Sequence, residues 1–419
     1  MIYVYHLLWT VLYAFLFPIA MSTKNKRLRE RLALDLPKRI EGGGTVWIHA
    51  LSVGEVTAAV SIVDSLHQHF PKDNIAVSVA TRTGMETAVR QLSGKVESIF
   101  TMPVDCWWCF YRVARLIRPS MFILVETDLW PGLMGYLKER GVRTLWVNGK
   151  LSPSTFGVYR MAPFFSRVLF NQLDVCLVQA VVDRDRLFAL GVGPAQVEVV
   201  GNVKFDREWV SMGEKERRYW LSLLRLGNEN LIWVAGSTHE GEEGIILRVF
   251  QSLRSRHPSL RLVIAPRKVE RADAVLKMVQ EAGLRGELRT GISGLDASWD
   301  VVVLDTLGEL SRVYGIAALS FVGGSLIPDG GHNLLEPASF GCPVLFGPYT
   351  YDFSAVAESL GKTGGGWQVE DEEGLRTAVE RLLAYPSLRQ RMGRAAGHFV
   401  TENQGAVKRT MAWVAGLRS

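Results

Sequence analysis

The sequence predicts two doubly wound α/β domains, each a parallel sheet with helices on both faces. Three observations carry this expectation. From about Gly44 onward, apolar runs of strand length alternate with helical runs, the pattern of strands buried on both faces. The alternation stops near Asp206 and restarts near Leu231. The chain has 419 residues, 48% apolar and 21% charged, which is too long for one ordinary core and too apolar for disorder. The net charge of +6 favours an anionic partner. Four cysteines do not make a disulfide framework, which fits a reducing compartment.

In chain order, residues 1–21 (MIYVYHLLWTVLYAFLFPIAM) carry no charged side chain and are long enough to span a bilayer. The basic stretch KNKRLRERLALDLPKR follows, so the positive-inside rule puts the remainder in the cytoplasm. No basic region precedes the apolar run and no small-residue cleavage pattern follows it, which speaks against a cleaved signal. An N-terminal membrane anchor is therefore expected over 1–22. The first domain is expected over 23–206. TVWIHALSVGEVTAAVSIVDSLHQHF reads as strand, turn and helix; NIAVSVAT is a strand before a helix from Gly84 to Leu92; SIFTMPVD, SMFILVETD, RTLWVNGK, VCLVQA and VEVVG complete the set. Residues 207–230 are polar and helical and read as an interdomain linker. The second domain is expected over 231–419, with strands in LIWVAGST, LRLVIAPR, VVVLDT, ALSFVGG and PVLFG, and helices from Glu372 to about Arg418.

Ligands of doubly wound sheets sit outside the carboxyl ends of the strands, so the strand-end turns are the candidate site. Phe321–Pro348 offers a strand over Leu319–Val322, glycines at 323, 324, 330 and 331, a helix starting near His332 or Asn333, and a strand over Pro343–Phe346. Glycines there allow positive φ and close approach of a ligand, and a helix start suits a phosphate. Glu336 stands one turn in, where a carboxylate can accept from a ribose. In the first domain, Glu55 follows Ser52-Val-Gly54 at a helix start. It is placed either as a general base on a hydroxyl or as a complement to the helix dipole. Glu126-Thr-Asp128-Leu-Trp130-Pro131 is a second acidic turn after a strand, with capping by Thr127 or Asp128 as the plainer reading. Lys150 and Lys204, also at strand ends, can neutralise an anion or simply be solvated. In the second domain, Gly236-Ser237-Thr238-His239 suits an anion, Pro266-Arg267 can grip one, and Asp305–Leu310 can read a base edge. Cys106-Trp-Trp-Cys109 has redox spacing with Asp105 as a helix cap. No second ligand pair for zinc lies nearby, so these cysteines are expected to pack a helix. The sequence has no phosphate-loop, HExxH or GxSxG motif and no dinucleotide fingerprint. The residues alone reach a membrane-tethered, two-domain α/β protein that binds a nucleotide.

Eight segments in order, HALSVGE (49–55), ETDLWP (126–131), NGKLS (148–152), GNVKFD (201–206), GSTHEGEE (236–243), APR (265–267), DTLGEL (305–310) and GGHNLLEPA (330–338), together resemble the 3-deoxy-D-manno-octulosonic acid (Kdo) transferase family. The resemblance implies a GT-B fold, with two Rossmann-like domains facing across a cleft, the first for the acceptor and the second for the donor. It implies inverting transfer of Kdo from CMP-Kdo to the lipid A precursor lipid IVA in lipopolysaccharide biosynthesis, at the cytoplasmic face of the inner membrane. No cofactor, metal or nucleic-acid partner is implied. Carried over by motif, Glu55 would be the general base of a direct displacement, with Glu126 and Lys204 stabilising the transition state. Pro266, Arg267, Leu307, Gly308, Glu309, Asn333, Leu334, Leu335 and Glu336 would bind CMP. Ser237, Gly236 and Ser52 are further possible contacts. The chain departs from the family at Gly149-Lys150, where Ala-Arg is usual, and at Asp128, where Glu is usual. Two other readings stay open: a GT-B transferase using a UDP-sugar, and a non-catalytic, membrane-tethered sugar-nucleotide-binding protein.

Overall fold

The computed structural model describes residues 9–15, 24–35, 40, 44–126, 129–206, 209, 212–292, 299–351 and 353–418. The chain forms two compact units, residues 1–207 with 403–419, and residues 208–402.

The first unit is built on a seven-stranded sheet in the order β3-β2-β1-β4-β5-β6-β7. Its strands are β1 (Thr45–Ala50), β2 (Ile75–Val79), β3 (Ser98–Thr101), β4 (Pro119–Val125), β5 (Arg143–Gly149), β6 (Val175–Val178) and β7 (Val197–Val199). Every pairing is parallel. All six residues of β1 are buried, as a central parallel strand requires. Its one imidazole, His49, is accommodated because Nδ1 lies 3.0 Å from the Ser78 hydroxyl on β2. The helix Val53–His69 turns Val56, Ala59, Ile62, Val63 and Leu66 onto the sheet at helical spacing.

The second unit repeats the plan in the order β10-β11-β9-β8-β12-β13-β14. Its strands are β8 (Leu231–Thr238), β9 (Leu260–Pro266), β10 (Gly286–Leu288), β11 (Val301–Val303), β12 (Leu319–Val322), β13 (Val344–Phe346) and β14 (Gly366–Gln368), again all parallel. In each sheet the chain first builds to one side and then returns to the other. The switch point falls between β1 and β4 in the first sheet and between β8 and β12 in the second. A doubly wound sheet opens a ligand crevice at that point.

Several boundaries differ from the sequence expectation, each for a physical reason. The expected linker contains the helix Glu214–Leu223, whose Trp220 and Leu221 pack with Leu224 in the core of the second unit. Residues 403–419 leave the second unit for the first. The helix Ala406–Gly416 places Val407, Met411 and Val414 in one cluster with Val46, Ile48 and Ala50, and the Asp206 carboxylate accepts from the N–H groups of Gly405 and Val407. The helix expected from His332 or Asn333 is Leu335–Ser339, of only five residues. Pro337 is its third residue, where the missing N–H costs nothing. β13 begins at Val344, after Pro343, which has no N–H to give a ladder.

The expected anchor over 1–22 lies outside the described residues except for 9–15, which are helical. Among the described residues no helix is long and apolar enough to cross a membrane. Residues 9–15 are tied to the body. The Tyr13 hydroxyl donates to the Leu32 carbonyl at 3.1 Å, and the Trp107 indole N–H donates to the Thr10 hydroxyl at 3.0 Å.

Candidate active site

At the switch point of the first unit, the loop after β1 leads into the helix Val53–His69 with Ser52 at the N-cap. Glu55 is its third residue and is buried, with 4% exposure. Its carboxylate accepts the Leu51 N–H at 2.5 Å. The acid thus sits at the helix start and at a strand end at once, the placement that both sequence readings of Glu55 use.

β4 is followed directly by Glu126, which has a φ of +61°, and β5 carries Asn148 at +58°. Neither is glycine, so each left-handed conformation must be held by its surroundings. Those surroundings are explicit. The Trp146 indole N–H donates to the Glu126 carbonyl at 2.7 Å, and the Asn148 amide donates to the Glu126 carboxylate at 2.9 Å. Asn148 in turn accepts the Val203 N–H at 3.0 Å, which fixes the turn that carries Lys204. The Lys204 ammonium then meets the Glu126 carboxylate at 2.7 Å. A Cβ placed on Gly54 would lie 3.6 Å from the Lys204 Nζ and 4.0 Å from the Ser52 hydroxyl. Ser52, Glu126 and Lys204, predicted from separate motifs, thus lie together at one strand end, around Gly54, the residue before Glu55. Asn148 completes the group. Its signal in the sequence was present, an Asn-Gly at a strand end, but its role as the bridge between the two turns comes only from the fold. Thr127 and Asp128, the expected caps, lie outside the described residues. The following helix, Pro131–Glu139, has Pro131 first and is capped from a distance. The Asp105 carboxylate accepts the N–H groups of Gly132 and Leu133, both at 2.8 Å. Asp105 was expected to cap its own helix, where Cys106 instead holds the N-cap. Cys106 and Cys109 are free thiols in the core. The hydrogen bond from Cys109 brings the Cys106 thiol down to about 7. Lys150 is exposed.

At the second switch point the glycine-rich turn is partly committed within the protein. The N–H groups of Gly324, Ser325 and Leu326 point at the Glu242 carboxylate at 2.7–3.0 Å. The same carboxylate accepts the His239 N–H at 3.0 Å. Glu242 has no exposure, and burial pushes its carboxyl above the usual range against these four donors. Gly323 does not take positive φ. It is small because a Cβ there would meet the Ser237 carbonyl oxygen at 2.4 Å, so two backbones pack directly. Gly236 likewise makes room for the Tyr314 hydroxyl, which a Cβ would strike at 1.9 Å. Ser237 adopts a φ of +57°.

The remaining expected donor residues lie at or beyond the carboxyl ends of β9, β11 and β12 in the same sheet. Pro266 ends β9, and Arg267 is exposed just beyond it, its N–H donating to the Thr238 carbonyl at 2.9 Å. Leu307 is 86% exposed, and Gly308 has a φ of +86°. The Glu309 carboxylate is held by Arg289 at 3.0 Å and by the Thr306 hydroxyl at 2.8 Å. Asn333 accepts the Leu335 N–H at 3.1 Å. Leu334 and Leu335 are buried, which leaves their backbone, not their side chains, for any contact. The Glu336 charge raises the Tyr314 hydroxyl further above its usual range, after the larger effect of burial. His332 stands in the same turn. Burial, then the charges of Arg267 and His239, bring its imidazole down to about 4.

With the geometry established, the relatives can be compared. The family model described as "3-Deoxy-D-manno-octulosonic-acid transferase (kdotransferase)" matches residues 26–207. A 3-deoxy-D-manno-octulosonic acid transferase of Haemophilus influenzae is 31% identical over 93% of this chain and 92% of its own. The chain belongs to the Kdo transferase family. Another relative of that name, from Aquifex aeolicus, is 28% identical over 81% of this chain and 86% of its own. The Neisseria meningitidis UDP-GlcNAc 2-epimerase bound to UDP-GlcNAc matches 89% of this chain and all of that one, with a TM-score of 0.59 at 13% identity. A glycosyltransferase of Rickettsia africae matches 90% of this chain and 99% of that one, with a TM-score of 0.58 at 10% identity. At such identities the likeness is one of fold. It agrees with the GT-B class expected for a Kdo transferase. Four of the eight motif segments, HALSVGE, ETDLWP, GSTHEGEE and GGHNLLEPA, lie at or beyond the carboxyl ends of the strands that flank the two switch points, and glycosyl transfer is the chemistry of this family.

Proposed function

We propose that this Kdo transferase family member moves Kdo from CMP-Kdo to a hydroxyl of a lipid A precursor, lipid IVA, at the cytoplasmic face of the inner membrane, by one inverting displacement. Glu55 takes the proton of the acceptor hydroxyl. The freed oxygen pair forms the new bond to the anomeric carbon of Kdo from the face opposite CMP. The bond from that carbon to the phosphate oxygen breaks, and its electron pair leaves with CMP. Charge builds on the phosphate as it departs, which an ammonium stabilises. Lys204, kept in place by Glu126 and Asn148, is the cation for this step. Arg267, the Leu307–Glu309 turn and the Asn333–Glu336 turn hold CMP, the last of these with Asn333 and Glu336.

The observation that carries this reading is the convergence of Ser52, Glu126 and Lys204 beside a buried, N–H-bonded Glu55 at one switch point. An acyl-bearing acceptor and a membrane surface are supported by apolar side chains left in solvent. Phe15 is 74% exposed, and Val158, Met161 and Phe164 on two successive helices are 65%, 87% and 66% exposed. Exposed apolar side chains grouped into a patch mark lipid or partner contact, whereas single ones do not. The test is transfer from CMP-Kdo to a tetra-acylated lipid A precursor, read by product mass. Addition of one or more Kdo units with release of CMP supports the assignment. Reaction with UDP-sugars but not with CMP-Kdo overturns the donor.

A further inference from the structure

The geometry points to a divalent-cation site of the zinc class in the second unit, formed by His239, Asp329 and His332. Their ligand atoms all lie within 4.8 Å of one another. His239 Nε2 stands 2.7 Å from His332 Nε2 and 3.2 Å from an Asp329 oxygen. Two imidazole nitrogens and one carboxylate oxygen, with a fourth position left for an oxygen ligand, are a donor set that zinc takes. The three residues come from the turn after β8 and the turn after β12, so spacing along the chain gives no metal motif.

Two further features show a built site. The first is the frame. The buried Glu242 carboxylate holds the His239 N–H on one turn and the Gly324 and Ser325 N–H groups on the other. Both ligand-bearing turns are thus fixed by one group behind the metal ligands, the arrangement that keeps a metal site in register. The second is the space. Gly324 has a φ of +68°, and a Cβ on it would lie 3.2 Å from His332 Nε2 and 3.5 Å from the Asp329 oxygen. A side chain there would crowd the donors, and glycine leaves the volume between them clear.

The bonds of a tetrahedral ion, about 2.0–2.1 Å long, hold its ligand atoms about 3.3 Å apart. Binding therefore parts the two Nε2 atoms by roughly 0.6 Å and displaces the one proton they share. The ion clamps the turn after β8 to the turn after β12. This site borders the turns expected to hold the donor, but the transfer step itself is not routed through it.

The test uses the full chain stripped with chelator. Zn2+ titrated by calorimetry should bind with one-to-one stoichiometry and raise the thermal midpoint by mass action. Co2+ should give the visible absorption of a four-coordinate ion. Both signals should disappear in the double variant His239→Asn/His332→Asn and persist in Cys106→Ser/Cys109→Ser. Asp329 is 45% exposed at its side chain, so Asp329→Asn should leave the metal-free midpoint unchanged while weakening Zn2+ about tenfold or more. No stoichiometric Zn2+ binding, full affinity in Asp329→Asn or in the histidine double variant, or loss of binding in the cysteine variant would each overturn the site.

Discussion

The two switch points are built from the same parts and use them in opposite ways. Each has an acid past a central strand, Glu126 directly after β4 and Glu242 after β8 at the start of its helix. In the first unit the Glu126 carboxylate stays within reach of solvent, 13% exposed, and is matched by an ammonium at 2.7 Å. The backbone there is held in left-handed conformations at Glu126 and Asn148 to aim those charges. In the second unit Glu242 is wholly buried, and its charge is consumed by four backbone N–H groups of its own protein. One acid is matched by a side-chain cation, and the other shapes the turn. A strand-end acid in a sequence does not reveal which of these it is.

Four measurements test that contrast, the largest effect first. Glu55→Gln should lower kcat by about 10²–10⁴-fold while CMP affinity, read by calorimetry, stays unchanged; a matching loss of CMP binding would make Glu55 a structural residue like Glu242. Lys204→Ala should cost about 10²–10³-fold in kcat, because a cation facing the leaving charge is lost; an effect confined to KM would reassign it to binding. Glu242→Gln should leave two or more buried N–H groups badly matched and lower the unfolding free energy by about 2–4 kcal/mol in urea titration. If instead it unfolds normally but no longer binds CMP, the buried acid is a ligand group after all.

The smallest effect concerns pH. His332 has a folded value of about 4, below its unfolded value near 6.5, so between these the unfolded chain binds the extra proton. Its contribution to stability is present above pH ~6.5 and is lost as the pH falls toward ~4. The thermal midpoint of the chelator-treated chain should therefore drop over that window, and His332→Asn should flatten the drop; an equally steep curve in the variant would assign the loss to other groups.

The strands and the two-unit plan were legible because parallel strands buried on both faces write themselves as apolar runs, as β1 and β4 do. Glu55, Glu126 and Lys204 were legible as strand-end polar residues backed by motif resemblance. Three things were hidden. The partner of the Gly324–Leu326 N–H groups is Glu242, 82 to 84 residues away in the chain. Such a pairing leaves no local signature, so these N–H groups read as open. The Arg289 partner of Glu309 is likewise set by packing. And the helix near Asn333 is too short for periodicity to fix its start.

The return of residues 403–419 to the first unit bears on how the protein is made. The second unit is an insertion in the first, and the chain passes between them twice. During synthesis, Val407, Met411 and Val414 emerge after all of the second unit, yet they close the core around β1, which precedes it. The first unit therefore keeps that apolar face uncovered until the second unit has been made. The second unit has all its residues in one continuous run and can complete its core earlier. The usual order, N-terminal unit first, is reversed.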